Sequence, residues 1–278
     1  MRILLTGAGG QLGLAVRRVV VGHELLPLTH AELDVADAAA VAEALATLAP
    51  ERVLNAAAYT AVDAAEAEPE QAYRVNETGA HTLALACARR AIPLLHVSTD
   101  YVFDGEKGAP YVESDPVHPL SVYGASKLAG EEAVRRTHPQ HFIVRTAWLY
   151  GPVGRNFALS IRAAAERGAP LRVVDDQWGS PSYAPHLAAA LARLIATDAW
   201  GTHHLANTGV ASRFEFAAAL LAAFGLRTPL EPIPTSAWPT PARRPRNTAL
   251  TSERSTGIVL PDWREGVRDL ARCLGRRD

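Results

Sequence analysis

Short apolar runs alternate with longer alanine-rich stretches through the first half of the chain. The runs at residues 2–6, 24–28, 52–54, 94–98 and 142–145 read as strands. The intervening stretches at 11–21, 37–48, 69–90 and 126–136 read as helices. Strands alternating with helices predict βαβ units, and so an α/β fold with a doubly wound, Rossmann-type parallel sheet covered on both faces. Beyond Gly151 the texture changes and prolines multiply. Strand-like pieces near 171–174 and 203–206, with helices near 185–196 and 213–224, suggest a smaller C-terminal lobe. The segment 229–245, with prolines at 229, 232, 234, 239, 241 and 245, suits neither a regular helix nor a central strand.

The 278 residues are 48% hydrophobic, ample for a sizeable core. Twenty-eight Lys and Arg against 29 Asp and Glu leave a net charge of -1, which offers no footprint for nucleic acid. Cys87 and Cys273 stand far apart, which predicts no disulfide framework and a reducing compartment. Their placement, and ten histidines without ligand spacing, predict no metal site. The first apolar run is too short for a signal peptide, and no window approaches the roughly 20 apolar residues of a membrane span. The expectation is a cytoplasmic protein without a membrane partner.

Thr6-Gly7-Ala8-Gly9-Gly10-Gln11-Leu12-Gly13 closes the first strand and opens the first helix. Glycines at 7, 10 and 13 suit a tight turn, close approach of a pyrophosphate and close packing of helix on strand. The helix start would then face phosphates with free N–H groups; a plain strand-to-helix turn is the alternative. Residues 1–150 are thus expected to form a dinucleotide-binding domain, completed by parts of 184–207, with 151–278 mainly a substrate-binding lobe. Leu28-Thr29-His30, ending the second strand, holds no carboxylate to repel a 2′-phosphate and no arginine to grip it, which favours NADPH over NADH only slightly. Asp34 and Val35 are placed to cradle the adenosine; for Asp34 a helix-start carboxylate is the rival role.

Tyr123 and Lys127 lie four residues apart, on one helix face. Reduction of a ketone needs a proton for its oxygen, and a tyrosine with a free pKa of about 10 supplies it poorly at neutral pH. A neighbouring ammonium would bring that value down. Upstream, Ser98-Thr99-Asp100-Tyr101-Val102-Phe103 follows a predicted central strand, at whose carboxyl end ligands bind. The Thr99 hydroxyl could hydrogen-bond a carbonyl as negative charge develops. A surface Tyr–Lys pair and a capping threonine are the structural alternatives.

These pieces together resemble the extended short-chain dehydrogenase/reductase family, and within it the dTDP-4-dehydrorhamnose reductases. The resemblance spans nearly the whole chain. It rests on the glycine loop, on Asn55-Ala56-Ala57-Ala58-Tyr59-Thr60-Ala61-Val62-Asp63, on Ser98 to Gly105, and on Tyr123-Gly124 with Lys127 to Glu131. It continues through Arg145 to Tyr150, Asp176-Gln177, Pro181-Ser182 and Pro239-Thr240-Pro241-Ala242-Arg243-Arg244-Pro245. It implies NAD(P)H-dependent reduction of the C4 keto group of a dTDP-linked 4-dehydro-L-rhamnose, by a monomer or homodimer. Gly10, Gln11 and Leu12 would contact the pyrophosphate, Ala56 to Tyr59 the middle of the cofactor and Val97 its nicotinamide side. Tyr123 and Lys127 would act on both cofactor and substrate. Thr99 and Asp100 would touch the sugar, Trp148 the sugar or nucleotide, and Arg243 with Arg244 the diphosphate. Ala64, where the family commonly has lysine, and Trp178, where tyrosine is usual, depart from the pattern. Ala15 replaces a carboxylate that joins metal-bridged dimers in some relatives. A reductase of another nucleotide-linked keto-deoxysugar, a non-catalytic cofactor-binding regulatory subunit and a UDP-sugar epimerase remain alternatives.

Overall fold

The computed structural model describes residues 1–168 and 170–275; residues 276–278, the end of the expected C-terminal lobe, lie outside them. In chain order the first part runs β1 (Arg2–Thr6), α1 (Gln11–Val19), β2 (Glu24–Leu28), α2 (Ala38–Leu48), β3 (Arg52–Asn55), α3 (Val62–Ala65), α4 (Pro69–Tyr73), α5 (Gly79–Ala88), β4 (Leu94–Thr99), α6 (Val122–Thr137) and β5 (His141–Thr146). The rest holds β6 (Leu149–Tyr150), α7 (Phe157–Glu166), β7 (Leu171–Val174), β8 (Trp178–Gly179), β9 (Ser182–Tyr183), α8 (Ala184–Leu194) and β10 (Gly201–His204). It ends with β11 (Asn207–Thr208), β12 (Ala211–Ser212), α9 (Arg213–Ala223), β13 (Leu230–Ile233), β14 (Leu260–Asp262) and α10 (Trp263–Gly275).

Six parallel strands form the main sheet in the order β10-β5-β4-β3-β1-β2. The expected doubly wound α/β sheet is therefore present. The centres of β1 and β3 are apolar because both faces are covered, while β10 is Gly-Thr-His-His. Ile3, Leu5, Phe142 and Val144 pack with Leu12 and Val16 of α1 and Leu187 and Leu191 of α8. Leu4, Val53 and Ile143 face the other way, against Val41 and Leu45 of α2, Leu83 of α5 and Val134 of α6. The chain leaves β1 toward β2 and returns across it to β3, so the winding reverses between β1 and β3. A cleft opens there, beyond the carboxyl ends of the strands.

A separate apolar cluster joins Tyr150, Ile161, Val173, Phe216, Leu220, Trp263 and Leu270, drawn from β6, α7, β7, α9 and α10. Within the 184–207 stretch, β10 pairs with β5 and α8 packs on α1. The proline-rich segment does form a strand, β13, but in a two-stranded edge pairing with β7. There Pro232, which lacks an N–H, does not interrupt a central ladder. The helix expected over 69–90 contains a wider i→i+5 turn at Arg74–Thr78. No helix among the described residues is long and apolar enough to cross a membrane.

Candidate active site

Gly7 turns the chain out of β1 with φ of +69°, and a Cβ there would stand 2.6 Å from the Ala56 carbonyl carbon. Only glycine lets this turn lie against the loop that follows β3. Gly13 serves packing: a Cβ on it would meet Gly7 O at 2.3 Å, and it lines neither cavity described below. Gly10 caps α1 without any side-chain bond, and the first turn carries no acid. Those N–H groups are fit for a phosphate.

Two cavities meet over this loop and share Gly10, Ala56 and Ala58. One, of about 640 Å³, takes in Gly7, Asp34, Val35, Ala57 and Tyr59. The other, of about 400 Å³, is lined by Gln11, Leu12, Val97, Thr99, Asp100, Tyr123, Lys127 and Trp148. With those three residues in common, the two cavities adjoin over the glycine turn and the start of α1.

The structure amends the reading of the second strand's end. Glu32 folds back so that its Oε2 accepts from Thr29 N at 2.7 Å and from Thr29 Oγ1 at 2.8 Å. These bonds hold its pKa below the usual glutamate value. A carboxylate therefore does stand beside Thr29, three residues later than the motif spacing anticipates. Asp34 pairs with Arg74, and its Oδ1 also accepts from Ala36 N.

A buried polar chain runs beneath the groove. Asn55 Oδ1 accepts from Thr6 Oγ1 at 2.7 Å and from Ala57 N at 3.0 Å. The backbone donor fixes the amide, so Nδ2 faces His96 Nδ1 at 3.0 Å. That nitrogen must accept, which places the ring proton on Nε2. Nε2 lies 3.5 Å from Lys127 Nζ, and Nζ donates to Val97 O at 2.7 Å. Burial keeps His96 neutral, far below the ordinary histidine pKa. Burial also brings the Lys127 amine down to about 8.

Tyr123 sits in the first turn of α6, which begins at Val122, four residues before the start read from the sequence. Ser121 caps that turn by accepting from Gly124 N. Burial moves the phenol above its ordinary value, and the Thr99 hydroxyl opposes the rise. The net direction is opposite to the expected lowering by Lys127, because desolvation of a phenolate outweighs the neighbouring donor. Thr99 Oγ1 donates to Asp100 Oδ1 at 3.0 Å and accepts from Tyr101 N at 3.2 Å. Burial pushes Asp100 up to about 6, although Thr248 and Thr99 both donate to it.

Trp148 carries the backbone into the left-handed region, φ 45°, on its way to the cavity. Arg244 bonds Asp63 Oδ2 at 2.8 Å, and Arg243 is exposed; neither lines the two cavities. The sequence reading missed Arg213, which does line the smaller cavity, with Arg155 and Thr146. Thr146 Oγ1 is buried without a partner among the described residues. Its position two residues after Val144, at the end of β5, is a local signal. Arg213 had only its place at the start of α9, where Ser212 and Glu215 form a capping box.

A glycine turn at the reversal point of a parallel sheet, opening onto a buried tyrosine and lysine, defines a nicotinamide-dependent oxidoreductase of the short-chain class. The family model described as RmlD substrate binding domain matches residues 1–275. The chain belongs to the dTDP-4-dehydrorhamnose reductase family. It is 39% identical to the dTDP-4-dehydrorhamnose reductase of Sinorhizobium fredii, over 99% of this chain and 98% of that one. The solved dTDP-4-dehydrorhamnose reductase of Clostridium acetobutylicum superposes with a TM-score of 0.96 at 36% identity, covering 99% of this chain and 100% of that one. The Bacillus anthracis enzyme, solved in complex with NADP, gives 0.95 at 35% identity, covering 97% and 98%.

Proposed function

We propose that this chain reduces the C4 keto group of dTDP-4-dehydro-L-rhamnose with NAD(P)H, giving dTDP-L-rhamnose. One observation carries the reading: Tyr123, Lys127 and Thr99 line a single cavity that adjoins the one over the glycine loop. Residues 1–150, with α8 and β10, hold the cofactor, and most of 151–278 holds the nucleotide sugar.

A reduced nicotinamide bound along the groove supplies the hydride. The N–H groups of Gln11 and Leu12 would hold its pyrophosphate, and Ala56 to Tyr59 and Val97 would contact the rest of the cofactor. Tyr123 gives the proton to the substrate oxygen: burial keeps the phenol protonated at neutral pH but weakens it as an acid, so the transfer depends on stabilising the phenolate that forms. Lys127, anchored on Val97 O, stands beside the reacting end and supports the phenolate that forms. Thr99 donates to the developing oxyanion when its proton swings from Asp100. Trp148 lies against the sugar or base. The two cysteines are unpaired, in keeping with a cytoplasmic place for the reaction. The test follows NADPH consumption with the keto-sugar nucleotide and identifies the product. Turnover to dTDP-L-rhamnose is expected, and a protein that binds NADPH yet leaves the keto sugar untouched would overturn the reading.

A further inference from the structure

Arg213 and the exposed Arg155 line the smaller cavity, whereas the motif arginines Arg243 and Arg244 do not. Arg244 is tied to Asp63, and Arg243 projects outward. Arg213 makes no ion pair among the described residues, yet it lines the cavity that holds Thr99, Asp100 and Tyr123. Its backbone N–H is fixed by Gln177 O at 3.1 Å, and the capping box of α9 holds its position. Its guanidinium carbon lies 3.6 Å from the centre of the Trp148 ring. Burial holds its pKa below the ordinary arginine value, against the pull of Tyr101 and Asp100. Asp100 forms no ion pair with it among the described residues, and Thr99 and Thr248 both donate to that carboxylate.

The platform under this guanidinium is built. Trp148 accepts a left-handed backbone, φ 45°, which a bulky residue adopts only when its surroundings enforce it. The indole lies against bare backbone at Gly179, where a Cβ would stand 2.4 Å from Trp148 Cε2. Stacking occupies the flat face of the guanidinium and leaves its donors at the edge. An edge of parallel N–H groups matches two oxygens of a phosphate.

We propose that Arg213, stacked on Trp148, receives the diphosphate of the nucleotide sugar, a role that the sequence motif alone would give to the Arg243–Arg244 pair. The inference rests on the reductase reading, which places one dianionic linker next to the sugar at Thr99 and Tyr123. The cofactor's own phosphates are served from the other wall, at the start of α1.

The experiment compares binding of thymidine 5′-diphosphate, thymidine and NADPH by calorimetry, using the full chain as wild type, Arg213→Gln and Arg213→Lys. Wild type is expected to hold the diphosphate at least about tenfold tighter than thymidine, with a gap that narrows as salt rises. Arg213→Gln should weaken the diphosphate about 10- to 50-fold while thymidine and NADPH stay within about twofold, and Arg213→Lys should recover part of the loss. Equal losses for thymidine and its diphosphate would show that Arg213 only supports Trp148, and would overturn the proposal. So would a loss confined to NADPH, or a wild type that does not distinguish thymidine from its diphosphate. Should Arg213→Gln fail to fold, the lysine variant and the wild-type salt dependence still decide. These readings need no turnover, so a failed reductase reading would show as absent turnover with the diphosphate difference intact.

Discussion

Along the wall nearest α1 the cleft presents backbone and small side chains, Gly7, Gly10 and Ala56 to Ala58. The facing wall presents large polar and titratable groups, Asp100, Tyr101, Tyr123, Lys127, Trp148 and Arg213. The first wall is made by two neighbouring turns, after β1 and after β3. The second gathers residues from β4, α6, the end of β5 and the start of α9. A dinucleotide is held by generic N–H groups and by close approach, so what matters there is the lack of side chains. A ketone must be protonated at one atom, so what matters opposite is where particular side chains sit and how burial tunes them.

The sharpest way to break this contrast is to remove one atom from the reactive wall. Tyr123→Phe should lower kcat/KM about 10³-fold, within the usual range for a lost acid–base group. NADPH affinity should remain within about twofold if the walls are independent. Steady-state kinetics and a fluorescence titration read both numbers, and a variant with full turnover would refute the assigned proton donor.

The converse adds one atom to the opposite wall. Gly7→Ala places a methyl where the Ala56 and Ala57 backbone already stands, in a φ of +69° that alanine resists. The strain should cost about 1–3 kcal/mol of stability. The displaced turn should weaken NADPH binding at least about tenfold, since the phosphate-facing N–H groups move with it. Thermal unfolding and NADPH titration test this, and unchanged affinity would detach the glycine turn from the cofactor.

This contrast also explains what could be read from the sequence. The glycine turn and the Tyr–Lys spacing are local patterns, and a local pattern determines both the turn and the shared helix face. That the strands run parallel and are covered on both faces was legible in short apolar runs alternating with helices, but their pairing register was not. Glu32 escaped notice because a side chain three residues past Thr29 turns back to it, which no strand-end spacing reveals. Arg213 escaped because its meeting with Trp148 depends on two segments far apart in sequence packing together. The start of α6 was placed late because Val122, Tyr123 and Gly124 are weak helix formers, and the Ser121 cap offsets them. The final helix, α10, was not anticipated; its Trp263, Val267 and Leu270 bury against the C-terminal cluster.

The reactive wall should show its burial as pH dependence. Lys127 is lowered to about 8. Below that value the buried amine is charged, and above it the proton leaves. Turnover should therefore be level up to about pH 8 and fall about tenfold per unit beyond it, as expected for loss of a single required proton. The linkage sign is opposite for stability. An unfolded lysine keeps its proton to about pH 10.4, so between about 8 and 10 the unfolded chain binds more protons and this group favours folding increasingly as pH rises. A kcat profile still level at pH 9.5 would show that Lys127 need not be charged for turnover.

The smallest expected effect lies beside the far end of the cofactor wall, at an exposed carboxylate next to Thr29, which lines the larger cavity. Glu32 is held at the end of β2 by the Thr29 N–H and hydroxyl, and those bonds keep it charged to lower pH than an ordinary glutamate. A carboxylate there suits the ribose hydroxyls of NADH and repels the 2′-phosphate of NADPH. The side chain is exposed, so water and salt screen the repulsion. Glu32→Gln should therefore strengthen NADPH binding only about threefold, leave NADH nearly unchanged, and lose its advantage at high salt. Titration of both cofactors at two ionic strengths reads this directly. An unchanged ratio would mean that the carboxylate faces away from the ribose, and that the pairing of Arg74 with Asp34 governs that end of the groove instead.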